Sequence, residues 1–295
     1  MLSRAVSEFS MSKQLSLLSM DSAVILFGAG FLIGSLGTLI GAGGGFLLVP
    51  LLLLTHPGIS PELVTAISLV VVACNAISGS IAYARSGRID FKAGWLFAAA
   101  TIPGSILGVF ATKYIPAHAF NAVFGVILLL LSVFLFLKKR SSAISDQKIS
   151  SMGKHLRHHI LIDKENVRYE YSFNQYTGMV ISGAVGFLSP LLGIGGGIIH
   201  VPALVHWLRF PVYVATATSH FILAIMATVS VVVHAAQGNY DDPYILHMII
   251  WLAAGVIPGA QIGALLSHKI KGDTIVKALA VCLALVGLRL ALGSL

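Results

Sequence analysis

Charge is what this sequence has least of. Of its 295 residues only 19 are Lys or Arg and 11 are Asp or Glu, 10% in all, whereas 57% are hydrophobic. A soluble domain carries about 25% charged residues, because its surface has to be wetted. This chain cannot cover a globule in water, and a fully soluble enzyme is excluded. Cysteine is almost missing: Cys74 and Cys282 lie in apolar stretches, with no disulfide framework and no metal-ligand spacing. No metal and no cofactor are therefore expected. No Walker-type phosphate loop occurs either, so nothing points to nucleotide-driven work. The net charge of +8 does not call for nucleic acid, since membrane proteins collect Lys and Arg in cytoplasmic loops.

What is present is a series of long uncharged runs. They cover 22–55, 63–84, 93–112 and 114–137, then 172–208, 210–240 and 243–268. A last run, 274–292, carries only Lys277 and Arg289. A helix needs about 20 apolar residues to cross a bilayer, which six of these eight runs supply once each. The stretches 22–56 and 175–209 are longer, 35 residues each, and each is interrupted by glycines near its middle. Residues 1–21 are polar and Ser-rich; no small-residue cleavage site follows, so the next apolar run reads as retained. The polar linker between Lys138 and Arg168 is rich in Lys and Arg and reads as cytoplasmic. His155, His158 and His159 within it read as a solvated, mobile loop, having no Cys or carboxylate at ligand spacing.

The two halves match. Gly41-Ala-Gly-Gly-Gly45 recurs as Gly193-Ile-Gly-Gly-Gly197, and Val49-Pro50 as Val201-Pro202, both 152 residues on. Thr65 and Ser68 recur as Thr216 and Ser219, Gly87 and Asp90 as Gly238 and Asp241, and Ile102-Pro103-Gly104 as Ile257-Pro258-Gly259. The expected fold is an all-α integral membrane protein: a polytopic helical bundle of two homologous four-segment repeats, the first segment of each broken at its glycine motif. Its parts are a polar segment at 1–21, a first membrane unit at 22–137, a basic linker at 138–174 and a second unit at 175–295. If each 35-residue stretch crosses once, the repeats are parallel; if each folds back, they are inverted. The distribution of Lys and Arg favours neither.

Irregular backbone survives in a bilayer only where protein or a water-filled cavity surrounds it. Glycine permits such a break, and the helix starts beyond it, expected at Phe46 and Ile198, carry unpaired N–H groups that attract anions. The alternative is that the glycines only let helices cross closely; a four-glycine cluster occurring twice favours the break. Pro50 and Pro202 are expected within the first turns, where a missing N–H costs little. No span has Asp or Glu in its interior, because Glu62, Asp90, Asp241 and Asp273 lie at segment ends. Cation pumps usually bury an acid, so cation transport is disfavoured.

Candidate substrate-binding residues are Gly41, Gly43, Gly44 and Gly45 with Thr65, Ser68 and Asn75 in the first half. In the second half they are Gly193, Gly195, Gly196 and Gly197 with His200, Thr216, Ser219, His220 and Gln261. Thr218 lies in the same polar run. Each Thr/Ser pair has i, i+3 spacing and shares a helix face. Hydroxyls can donate to an anion, or bond back to their own helix carbonyls. His200 and His220 break the repeat symmetry and read either as a coupling-proton or anion partner or as structural histidines. His206, His234 and His247 read as interfacial. Pro50, Pro103, Pro202 and Pro258 are structural candidates.

The paired glycine motifs followed by Val-Pro, Ala215-Thr-Ala-Thr-Ser219 after the second, and Ile-Pro-Gly in each half resemble the sulfite exporter TauE/SafE family, also called the toluene-sulfonate uptake permease family. The resemblance covers residues 22–292 and implies an inner (plasma) membrane carrier of sulfur-containing anions such as sulfite or organosulfonates. The expected function is a secondary transporter, not an enzyme, with a small anionic substrate, coupling to protons or sodium, the lipid bilayer around it, and room for a homo-oligomer. A passive anion channel is the alternative. An intramembrane enzyme would need a nucleophile–base pair or an activated metal, and no such motif occurs.

Overall fold

The computed structural model describes residues 23–137 and 156–267, together with positions 280, 284, 287 and 288. The first polar segment, His155 and nearly all of the last apolar run lie outside the described residues. In chain order the elements are α1 (Ala23–Ile40), α2 (Gly45–Thr55), α3 (Pro61–Ser86), α4 (Phe91–Thr112) and α5 (Ala117–Leu137). A hairpin of β1 (Leu156–Ile162) and β2 (Arg168–Asn174) follows. Then come α6 (Gln175–Leu192), α7 (Gly197–His206), α8 (Val212–Ala236) and α9 (Pro243–Leu266). Five helices, α1, α3, α4, α8 and α9, are long and apolar enough to cross a membrane. Helices α2 and α7, with 11 and 10 residues, reach only about 15 Å at 1.5 Å per residue, half a bilayer core.

Short polar signals set the helix ends. Ser60 caps α3 by accepting from the Leu63 N–H at 3.3 Å, with Pro61 in the first turn, and Gly87 ends it at φ +73°. Asp90 caps α4, Asn174 caps α6 and Asp242 caps α9, each through its side-chain oxygen. Charged side chains are thus kept at the ends, and the outward faces between them are apolar. Outward-facing Val24, Leu32, Leu107, Val180, Val232 and Leu265 are all more than half exposed, as lipid-facing positions require. Helix α3, lined by Val64, Ile67, Val71, Val72 and Ala76, is the buried centre.

Helices pack through glycine. A Cβ on Gly255, Gly259 or Gly263 of α9 would collide with the carbonyl of Phe27, Phe31 or Ser35 of α1, so the two helices touch backbone to backbone. Those pairs rise together along both chains, hence α1 and α9 run parallel. Helices α4 and α6 do the same, with Gly104 against Gly183, Gly108 against Phe187 and Gly186 against Thr101. The central pair is antiparallel: Gly79 of α3 meets His220 near the start of α8, while Glu62 at the start of α3 accepts from Asn239 beyond the end of α8. Tyr240 reaches Ala66 and Gln261 reaches Ser78, so α9 runs with α3.

Because α1 and α3 point the same way, α2 has to run back between them. His56, just past α2, lies with its ring 6.4 Å from that of Tyr244 at the start of α9, the end at which α1 also begins. In the second half, Leu208, past α7, packs on Gly178 at the start of α6. Each pair therefore returns to the end from which it entered.

Two expectations need correction. Among the described residues there is one two-stranded sheet beside the helices, and His158 and His159 lie in its first strand, not in a loop. Alternation explains the hairpin: Tyr169, Tyr171 and Phe173 point inward at period two, the last two meeting Phe210 at a tilt and Phe173 also meeting Phe97 edge-on. His234 is buried, not interfacial, because residues 237–239 fold back over it and Asn239 meets its Nδ1 at 2.8 Å. His206 and His247 are exposed near helix ends.

The close contact gives a first prediction. Gly259→Leu should force α1 and α9 apart and cost about 1–3 kcal/mol or more, whereas Gly28→Leu, with open space around it, should be neutral. Thermal unfolding of the two purified variants in detergent checks this.

Candidate functional site

Two glycine turns define the candidate site. In the first, Gly41, Gly43 and Gly44 have φ of +85°, +79° and +83°; in the second, Gly193, Gly195 and Gly196 have +67°, +76° and +51°. Left-handed backbone at three of four positions is open to glycine and strains other residues. Gly44 and Gly196 cap α2 and α7 without any side-chain bond. The N–H groups of Gly45, Phe46 and Ile198 find no carbonyl partner among the described residues, so two helix starts keep bare donors.

The turns lie against each other. A Cβ on Gly45 would collide with the Gly193 carbonyl, and one on Gly197 with the Gly41 carbonyl. A Cβ on Gly43 would stand 3.5 Å from the Gly195 oxygen. Val72 of α3 presses on Gly195, and Leu223 of α8 presses on Gly43, closing the crossing from both sides. Thr65 packs its methyl on Gly193 and Thr216 packs its methyl on Gly41, so the matching threonines flank the facing turns. Ser68 donates to the Gly193 carbonyl at 2.6 Å, while the buried hydroxyl of Ser219 has no partner.

On one flank sits a polar cluster. Thr38 donates to the Asn75 oxygen at 2.7 Å, and the Asn75 amide nitrogen is buried without a partner. Tyr83 donates to the Thr38 carbonyl at 2.9 Å, and its ring stands edge-on to His220 at 5.4 Å. His220 is fully buried against Gly79, and neither ring nitrogen has a partner.

The candidates therefore separate into groups. Gly41, Gly43, Gly45, Gly193, Gly195, Gly197, Thr65, Ser68 and Thr216 converge on the crossing, and Ser219 is buried one turn along α8 from Thr216. Gly44 faces Ile33 and Gly196 faces Ser189 on the outer sides of their turns. Asn75 and His220 belong to the flanking cluster. His200 is turned to α6, where Ser182 meets it at 3.1 Å. Gln261 donates to Ser78 at 2.6 and 2.9 Å; it ties α9 to α3 and makes no bond to either turn. Thr218 is turned to the end of the bundle and accepts from the Asp90 N–H at 3.0 Å.

Sequence reasoning passed over Thr38, Tyr83 and Ser189. Thr38 and Ser189 lie three and four residues before their glycine motifs, and that placement was the available signal. Pro50 and Pro202 need correction too. They are the sixth residues of α2 and α7, past the first turn, so each withholds a helical hydrogen bond from Phe46 or Ile198. Pro103 and Pro258 lie in the interiors of α4 and α9. Among the described residues no group of three or more His, Cys, Asp or Glu could hold a metal.

Comparison with known proteins gives the chain a family. The family described as sulfite exporter TauE/SafE matches residues 26–290. The probable membrane transporter protein YunE of Bacillus subtilis is 31% identical over 275 residues, 91% of this chain and 97% of that protein. A probable membrane transporter protein of Xylella fastidiosa is 25% identical, covering 85% of this chain and 87% of its own length. The probable membrane transporter protein MJ0441 of Methanocaldococcus jannaschii is 26% identical, at 83% and 86% coverage. No solved structure matches the chain.

Proposed function

From the chain's membership of the sulfite exporter TauE/SafE family, we propose that it is a secondary transporter of a small sulfur-containing anion, such as sulfite or an organosulfonate, working by alternating access at the two glycine turns. The observation that carries this reading is the pair of facing helix starts with bare N–H donors, in a span region free of Asp and Glu. Such donors and the positive helix ends favour a sulfonate-like oxyanion, and no Asp or Glu in the span interiors opposes it. The carbonyls of Gly41 and Gly193 fill the crossing in the closed arrangement. An anion reaches the donors when the turns part, and that is a movement a carrier makes in each cycle.

The reading includes inverted repeats. The antiparallel α3–α8 pair supports it, as do the returning α1–α2 and α6–α7 pairs and the exchange of partners between halves. Two short helices entering from opposite ends and meeting near the midplane is an arrangement secondary transporters use. The reading places the protein in the inner (plasma) membrane, with the linker on the cytoplasmic side and a proton or sodium gradient as the driving force.

Labelled-anion counterflow in proteoliposomes tests the proposal, with sulfite, sulfate, thiosulfate, sulfoacetate and taurine offered in turn. Saturable exchange of at least one is expected; flux that never saturates would mean a channel instead, and no flux of any would end the proposal. The two serines give a sharper prediction. Ser68→Ala removes a buried hydrogen bond and should cost about 1 kcal/mol of stability. Ser219→Ala removes none and should leave thermal stability unchanged while raising the half-saturating anion concentration.

A further inference from the structure

The β-hairpin has a role that the glycine turns do not require. Strand β2 runs without a break into α6, so the hairpin is continuous with the second half of the chain. Its bonds, however, go to the first half. Arg88, in the turn between α3 and α4, donates to Asp163 at 3.3 Å and is buried with it. Tyr169 donates to the same carboxylate at 3.2 Å, and the Lys164 N–H to the Ser86 carbonyl at 3.1 Å. Asp90, the cap of α4, takes His159 on one oxygen at 2.5 Å and Tyr171 on the same oxygen at 2.7 Å. Burial first, and then the Asp90 carboxylate, push the Tyr171 hydroxyl far up, so it stays a donor. Two more contacts cross the same seam: the Asp90 N–H to Thr218, and the Arg88 guanidinium over the Tyr213 ring at 5.6 Å.

Among the described residues the opposite end shows no such device. Asp241 matches Asp90 in the repeat yet is exposed, and Asn239 stands where the first half has Arg88. Across that seam run the Asn239–Glu62 bond at 3.1 Å and the Tyr240 bond to the Ala66 carbonyl at 3.2 Å. No cation takes part in either. One end is closed by a buried ion pair with shared carboxylates, the other by amide and phenol donors.

We propose that the hairpin is a latch that holds the linker end of the carrier shut, and that this end opens only when the hairpin releases Arg88 and Asp90. The inference rests on the carrier reading. It makes the cycle asymmetric, with the linker end closed at rest and the far end freer to open.

The test uses a full-length chain without its own cysteines (Cys74→Ala, Cys282→Ala), carrying Ser86→Cys and Lys164→Cys to bridge the seam. Oxidation should slow anion counterflow at least about tenfold, and a reductant should restore it. Full exchange with the bridge closed would overturn the latch, as would failure of the adjacent cysteines to oxidise, since the hairpin would then not rest on Ser86. A second variant combines Tyr171→Phe and Asp163→Asn with a reporter at Ala217→Cys, buried in α8. Labelling by an impermeant thiol reagent from the linker side should rise at least about tenfold over the reporter alone; no rise also overturns the latch. If the reduced protein exchanges no anion, the carrier reading fails, and the labelling result still decides whether the hairpin closes this end.

Discussion

Gly45→Ala and Gly197→Ala should each cut anion exchange at least about a hundredfold, because one methyl group on either residue meets the backbone carbonyl of the facing turn. Backbone at a turn built on left-handed glycines cannot give way as a flexible side chain can. The added carbon therefore pushes the two helix starts apart and moves the bare N–H donors out of register. Gly58→Ala is the matched control: it has open space around it and should leave exchange unchanged. Proteoliposome counterflow compares the three. Normal exchange by both turn variants would show that close approach of the turns is not needed.

The second large effect concerns stability. Asp163→Asn, or Arg88→Ala, breaks a buried ion pair by removing one partner and should cost about 3–5 kcal/mol. The salt contact of Arg88 with Glu165 adds little, since that carboxylate is largely in water. Burial alone would raise the Asp163 carboxyl. Hydrogen bonds from the Val167 N–H, Arg88, the Glu165 N–H and Tyr169 outweigh it and hold the carboxyl below the ordinary carboxylate range. A lowered folded-state value means that the unfolded chain takes up the proton first as pH falls. This contribution is whole above the ordinary carboxylate pKa and disappears as pH drops through the lowered value. Melting curves from pH 7 to pH 3 should therefore show a steeper loss for the parent chain than for Asp163→Asn. Equal slopes would remove Asp163 from the account.

Much of the architecture was legible because the bilayer enforces simple rules. Uncharged runs marked the long helices, and Asp90, an acid at a segment end, is the cap of α4. The glycine motifs drew attention through their duplication, and the residues around them converge on one crossing. Helix direction was not legible. Counting Lys and Arg leaves two topologies open, and only contacts such as Gly79 with His220 and Glu62 with Asn239 fix which helices run together. The hairpin was hidden by its charge: Arg157, Lys164 and Arg168 made the segment read as linker, although Tyr169, Tyr171 and Phe173 alternate as a strand does. Gln261 looked like a site amide because of its place in the repeat. It is instead a tie between two helices, a distinction that depends on which face of α9 meets α3.

The glycine seams between helices have a consequence for biosynthesis. Helix α1 finds its backbone partner in α9, and α4 finds its own in α6, so each half of the chain completes the other. A ribosome releases the amino-terminal half first, with the groove of α4 uncovered against lipid until α6 (Gln175–Leu192) follows and that of α1 until α9 (Pro243–Leu266) follows. A nascent chain stopped at the linker would present both grooves to quality-control proteases. The grooves of the first half are filled only once α6 and α9 lie beside α4 and α1.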